Sequence, residues 1–236
     1  MDEKLKSKNC TICGHRSHSV FCNSSGDNIS EISDGKVTSM YKKGQYLFYE
    51  GAHPHGLFCI SEGKIKLSQI GDEGKETIVR LAKSGDIIGY KALLGGNRYT
   101  ASAITLEDSI VCFIPKETFF NVLKKDPDLS LSLLSLLSSE LHNAENKIVQ
   151  LAQKPVRERL AEALLFLRET YGSEEDGSTI NVQLSREEIA NIVGTATEST
   201  IRLLSEFKKD GMIDMVGKKI KVVDKDRLVK TANVAY

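Results

Sequence analysis

A chain of 236 residues has room for two ordinary domains, and 40% hydrophobic with 27% charged residues excludes a disordered tail or a collagenous repeat. Lys plus Arg and Asp plus Glu both number 32, so the net charge is zero and any affinity for nucleic acid must come from local pattern. No apolar run approaches the roughly 20 residues that span a bilayer, and the opening Met1-Asp2-Glu3-Lys4-Leu5-Lys6 is polar with no hydrophobic signal core behind it; a cytoplasmic chain with no membrane partner is expected.

Residues 1–35 form a polar arm rich in Ser, Asn and Gly, with little apolar periodicity and no core of its own. It carries three of the five cysteines, Cys10, Cys13 and Cys22. In a reducing compartment such a group points to metal or redox chemistry and away from disulfides. Zinc on Cys10 and Cys13 with His15, His18 or Cys22 is one reading, reduced thiols acting as a redox switch are another, and a third gives Cys112 no role beyond that of a small buried hydrophobe.

From Val37 to Pro115 short β-type runs take over: Tyr46-Leu47-Phe48-Tyr49, Leu57-Phe58-Cys59-Ile60, Ile65-Lys66-Leu67 and Thr77-Ile78-Val79-Arg80-Leu81. Glycines such as Gly44, Gly51, Gly63 and Gly85 punctuate them at spacings suited to tight turns, which predicts an all-β antiparallel barrel or roll over 36–125. Cys59 is expected in its core. His53-Pro54-His55 sits in a turn, with no carboxylate and third histidine following at metal-site spacing, so no enzyme is predicted.

A helical region opens near Lys116, breaks at Asp126-Pro127 and restarts over 126–154. Leu134, Leu137, Leu141, Ala144, Ile148 and Leu151 step by 3, 4, 3, 4 and 3, a narrow seam suited to a two-helix contact between subunits. The other reading lays this helix on its own barrel, and the two can hold along different turns. Pro155 ends it, Val156 to Tyr171 forms the next helix, and Gly172 to Ser178 is a loop.

Within 155–236, Ser185-Arg186-Glu187-Glu188 is a capping-box helix start. Gly194 permits a tight turn, and a second helix runs from about Ala196 to Lys209. Helical spacing turns Ile201, Leu204 and Phe207 inward and leaves Thr197, Glu198 and Arg202 near the N-terminal end that enters the major groove in helix-turn-helix proteins. An arginine fork matches guanine and a carboxylate accepts from cytosine, while Glu198 and Arg202, four apart, can also hold each other. Strands Met212 to Met215 and Ile220 to Val223 flank a turn bearing Lys218 and Lys219, with Lys221 beyond it, a wing suited to phosphate. The predicted DNA-contacting set is Ser185, Thr197, Glu198, Ser199, Ile201, Arg202, Lys218 and Lys219.

Taken together, the α+β order of roll, long helix and winged helix-turn-helix resembles the CRP/FNR family of bacterial regulators from about Val37 onward. The most specific stretch is Gly194-Thr195-Ala196-Thr197-Glu198-Ser199-Thr200-Ile201-Arg202, which looks like that family's recognition helix; Lys43 to Gly51 is similar to its roll opening. The resemblance implies a cyclic-nucleotide-binding-like jelly roll, a homodimer, and contacts by Glu198 and Arg202 to a G·C step in each half of a near-palindrome. It also implies tuning of other bases by Thr197 and Ile201, and RNA polymerase as a partner. Where relatives that bind cyclic nucleotides carry Gly-Glu and Arg-Ser or Arg-Thr, this chain has Gly89-Tyr90 and Thr100-Ala101 with Arg98 displaced, so cyclic-nucleotide binding is not expected. Ile88 to Ala92 and Ser109 to Pro115 look like the oxygen-sensing FNR branch, which implies a [4Fe-4S] cluster on Cys10, Cys13, Cys22 and Cys112. The spacing C-x2-C-x8-C departs from the usual family pattern in its longer second gap. A small-ligand regulatory module with structural zinc is the alternative reading.

Overall fold

The computed structural model describes residues 9–233, which fall into two units, 9–75 with 79–142 and 76–78 with 143–233. The first is a two-sheet roll. One sheet has the order β1 (Val37–Tyr41), β8 (Ser109–Pro115), β3 (Gly56–Glu62), β6 (Ile87–Ile88). The other has the order β2 (Tyr46–Phe48), β7 (Ser102–Thr105), β4 (Lys64–Ile70), β5 (Glu76–Lys83). Period-2 alternation turns Phe58 and Ile60 of β3 and Ile65 and Leu67 of β4 into the roll, where Phe48 and Tyr99 stack at 3.9 Å. Between β3 and β4 a single residue, Gly63, makes the turn at φ 113°, and a side chain there would run into Ser109. The predicted all-β stretch is interrupted by one short helix, α2 (Tyr90–Gly95).

A second core lies outside the roll, and the N-terminal arm supplies part of it. The arm contains α1 (Gly26–Gly35), started by Ser25, whose hydroxyl accepts from the N–H of Asn28. Ile29 and Ile32, one turn apart, are 1% exposed and pack with Phe21 against Leu57, Ile114 and the helix α3 (Lys116–Lys125). The arm has no core of its own, but two isoleucines at helical spacing suffice to dock it once a sheet face is there to receive them, each contributing about 1.5–3 kcal/mol.

Asp126 ties the arm to the long helix α4 (Pro127–Gln153). Its carboxylate accepts from the N–H of Leu129 at 2.9 Å, capping α4, and from the side chain of Asn28 at 3.0 Å. Burial alone would raise its pKa, but these hydrogen bonds outweigh burial and hold the carboxyl below its ordinary value. Such a group adds stability above its unfolded-state pKa near 4, and that stability is lost as the pH falls through the lowered native value. Asp126→Ala is expected to cost about 2 kcal/mol and to lower the thermal midpoint by roughly 4–8 °C at neutral pH. The difference from the parent should shrink as the pH falls below the unfolded-state value near 4, which calorimetry across pH checks.

Along α4 the reading that lays the helix on its own unit holds for the first turns. Leu129 and Leu133 are buried on the first unit and Leu137 packs partly on the same core. By contrast Leu134, Leu141, Ile148 and Leu151 are between 43% and 67% exposed, and Ala144 is exposed as well. Glu140 forms ion pairs with Arg80 at 2.8 Å and Lys91 at 3.0 Å, holding α4 to β5 and α2.

The second unit packs α5 (Val156–Tyr171), α6 (Arg186–Val193), α7 (Thr197–Lys209), the hairpin β9 (Ile213–Val216) and β10 (Lys219–Val222), and α8 (Lys225–Ala232). Leu160, Leu164, Ile189, Val193, Leu204 and Phe207 fill its centre. Arg157 of α5 lies over the ring of Phe207 with its guanidinium carbon 4.8 Å from the ring centroid.

Candidate functional site

The helix-turn-helix is built by local signals. Ser185 and Glu188 complete the capping box: the hydroxyl accepts from the N–H of Glu188 at 3.0 Å and the Glu188 carboxylate accepts from the N–H of Ser185 at 2.8 Å. Gly194 ends α6 at φ 73°, in the left-handed region, and a Cβ there would stand 2.9 Å from Leu151. Arg159 donates to the carbonyls of Gly194 at 3.2 Å and Leu151 at 3.0 Å, which fastens the turn to the end of α4. Lys147 of α4 donates to the carbonyl of Ile192 at 2.9 Å.

In α7 the inward face is Thr200, Leu203, Leu204 and Phe207. The outward face is Glu198, Ile201, Arg202 and Ser205, at offsets of 0, 3, 4 and 7 on one side of the helix, with Thr197 and Ser199 half-buried at its margins. Ile201, expected inward, is 47% exposed: Thr200 takes the inward position beside it. The expected pairing of Glu198 with Arg202 is also corrected. Arg202 is paired at 2.6 Å with Glu206, whose other oxygen is held by Arg157 at 2.8 Å, so Glu206 is already positioned when Arg202 reaches it. Ser205, absent from the predicted set, joins the face by helical spacing, four residues from Ile201 and three from Arg202, which are both in that set.

The wing turns on Gly217 and Lys218, with Gly217 at φ 59° in the first position of a two-residue hairpin. Lys218 is exposed at the tip. Lys219 pairs with Glu174, and Lys221 pairs with Asp176 at 3.4 Å. Hydrogen bonds from the N–H groups of Thr179 and Ser178 hold Asp176 well below the usual carboxylate range. Lys219, predicted to face phosphate, thus has an acidic neighbour in the 172–178 loop, and Lys218 is the better placed of the two.

The cysteines are regrouped. A pocket of about 530 Å3, its open mouth included, is lined by Cys10, Cys13, Cys59 and Cys112 together with Lys36. Cys22 is exposed and is not among its lining residues. The turn Cys10–Ile12 is fixed to α1 because the N–H of Cys10 donates to Ser33 at 3.2 Å. Burial raises the Cys10 thiol although Lys36, hydrogen-bonded to it, pulls the other way. Burial and the neighbouring Cys112, Cys13 and Cys10 push Cys59 up as well. Cys59, expected to be core, packs against the core beneath the arm and also lines this pocket. Among the described residues no three His, Cys, Asp or Glu stand close enough to hold a single metal ion, so the zinc set of Cys10, Cys13 and His15, His18 or Cys22 is not assembled. Lys36 and Cys59 gave no signal in one dimension, since their role depends on which strand lies beside which.

At the positions that correspond to the two nucleotide-binding pairs, Tyr90 is fully buried and Arg98 donates to the carbonyl of Gly51 at 2.8 Å.

Comparison with known proteins agrees with this geometry. Residues 38–126 match the family model of the cyclic nucleotide-binding domain, and residues 158–231 match that of the Crp-like helix-turn-helix domain. The chain is 32% identical over 192 residues to the fumarate and nitrate reduction regulatory protein of Escherichia coli (strain K12), covering 81% of this chain and 76% of that one. It is 31% identical over 242 residues to the protein of the same name from Vibrio cholerae, covering 99% and 95%. Among solved structures, a CRP/FNR-family transcriptional regulator from Thermus thermophilus aligns with TM-score 0.71 and 28% identity over 84% of this chain and 98% of that one. FixK2 from Bradyrhizobium japonicum shares the fold with TM-score 0.76 at 20% identity, over 85% and 99%. No helix among the described residues is long and apolar enough to cross a membrane.

Proposed function

The chain belongs to the CRP/FNR family of DNA-binding transcription regulators, and from that premise we propose that it works as a homodimer whose DNA binding answers to oxygen or another oxidant. The observation that carries the DNA reading is the outward face of α7, where Glu198, Ile201 and Arg202 stand together at the end of a helix that no side chain caps. Bare N–H groups there favour a phosphate, while the carboxylate and guanidinium reach base edges. Glu198 and Arg202 read a G·C step, with Thr197, Ser199 and Ile201 tuning neighbouring bases. Ser185 and Lys218 position the backbone. The exposed apolar stripe Leu134, Leu141, Ile148 and Leu151 of α4 forms the dimer seam, with Ala144 between and Leu137 at its edge. Helix α4 meets α2 and β5 through Glu140 and α6 through Lys147, seven residues or two turns apart, which makes it the element able to pass a change from sensor to reader. RNA polymerase is the expected further partner.

The four-thiol pocket beside a lysine supports the redox reading, since its donor set is that of an iron–sulfur centre. When bound, a [4Fe-4S] cluster supplies an oxygen-labile redox centre. Cys10, Cys13 and Cys112 would hold it with a fourth thiolate, and Lys36 would offset part of the thiolates' charge. Ile29 and Ile32 limit water on one side of the same pocket.

Protein purified without air is expected to carry iron and sulfide with a visible absorption band, and to select from random duplexes a two-fold symmetric site with half-site centres about one helical turn apart. Exposure to air should bleach the band and weaken that binding. Colourless, iron-free protein would remove the cluster reading, and equal affinity for every duplex would remove the DNA reading.

A further inference from the structure

Resting on the cluster reading above, we infer that Cys59, and not Cys22, supplies the fourth thiolate beside Cys10, Cys13 and Cys112. Cys59 on β3 and Cys112 on β8 are direct partners in the antiparallel register. Side chains directly opposite across such a pair project from the same face of the sheet, about 4.5–5.5 Å apart at Cβ. That face is the one under the N-terminal arm. Leu57 and Ile114, two residues along from Cys59 and Cys112 on the same strands, belong to the core built by Ile29 and Ile32, whereas Phe58 and Ile60 belong to the roll interior.

The arm brings its own two thiols to the same place. Cys10 packs on that core and lines the pocket with Cys13, and both lie within electrostatic reach of Cys59. Lys36, at the end of α1, faces Cys10, Cys13 and Cys112. Cys22 sits beyond Phe21, which is buried, and points away as an exposed residue. Cys59 already lines the pocket, whereas Cys22 does not. Iron binding would need each of these thiols as its thiolate, and the lysine beside Cys10 would offset part of that charge.

The test compares wild type with Cys22→Ser, Cys59→Ser, Cys59→Ala and Cys112→Ser, each purified anaerobically and assayed for iron, acid-labile sulfide and visible absorption per chain. Cys22→Ser is expected to keep the wild-type content, and both Cys59 variants to lose most of it, as Cys112→Ser does. Full iron and sulfide in the Cys59 variants, or loss in Cys22→Ser, overturns the assignment while leaving the cluster reading in place. Iron-free wild type overturns both. Because a strand substitution can disturb folding, the wild type is also alkylated before and after iron chelation and mapped by mass spectrometry. Cys59 should be protected until chelation and Cys22 labelled throughout; the reverse pattern overturns the assignment without any variant.

Discussion

Arg202→Ala lowers discrimination at one base pair in each half-site by about 1–3 kcal/mol, roughly five- to 150-fold, while binding to unrelated duplexes changes little. The magnitude follows from a competition. In the free protein the guanidinium is paired with Glu206 at 2.6 Å, but its side chain is 66% exposed, and such a surface pair contributes about 0.3–0.5 kcal/mol. A bidentate pairing with guanine is several times stronger, so Arg202 leaves Glu206 when the right base is present. Lys218→Ala has the opposite signature: all sequences weaken alike, and the slope of log affinity against log salt falls by about one for each phosphate no longer neutralised. Binding curves for the selected site and its single-base variants at several salt concentrations separate the two. An equal loss on every sequence for Arg202→Ala contradicts its assigned role.

The second large effect is expected at the seam. Leu141→Glu combined with Ile148→Glu should turn the dimer into a folded monomer and lower affinity for the symmetric site by more than about a hundredfold. In one protomer these side chains are 63% and 67% exposed, so their replacement removes little packing that the protomer needs to fold. Between two protomers each buried leucine or isoleucine contributes about 1.5–3 kcal/mol, twice over by symmetry, and four introduced carboxylates would repel across the interface. Sedimentation gives the mass and circular dichroism shows that the helices persist. A double variant that stays dimeric places the interface elsewhere. If it becomes monomeric but keeps full affinity, the two half-sites are not read by paired subunits.

How much of the fold is legible in one dimension depends on the range of the interactions. The capping box at Ser185, the left-handed Gly194 and the proline breaks at Pro127 and Pro155 act within a turn or two, and the observed helices start and stop where those residues say. Helix α1 escapes a sequence reading because its Ser, Asp and Gly residues suit a loop equally well, and only the sheet face beneath Ile29 and Ile32 makes the helix worthwhile. Ile201 is expected inward because helical spacing allows two adjacent inward choices there, and the packing of Thr200 against the rest of the unit makes the decision.

By itself the sequence determined the order of elements, the reading helix and the wing, since backbone capping, turn chemistry and hydrophobic period are properties of neighbouring residues. Tertiary structure alone decided which acid holds Arg202, which lysine of the wing stays open and which cysteines meet. Those outcomes hang on the register of β3 against β8 and on the packing of α1, pairings between residues far apart along the chain that no local preference encodes.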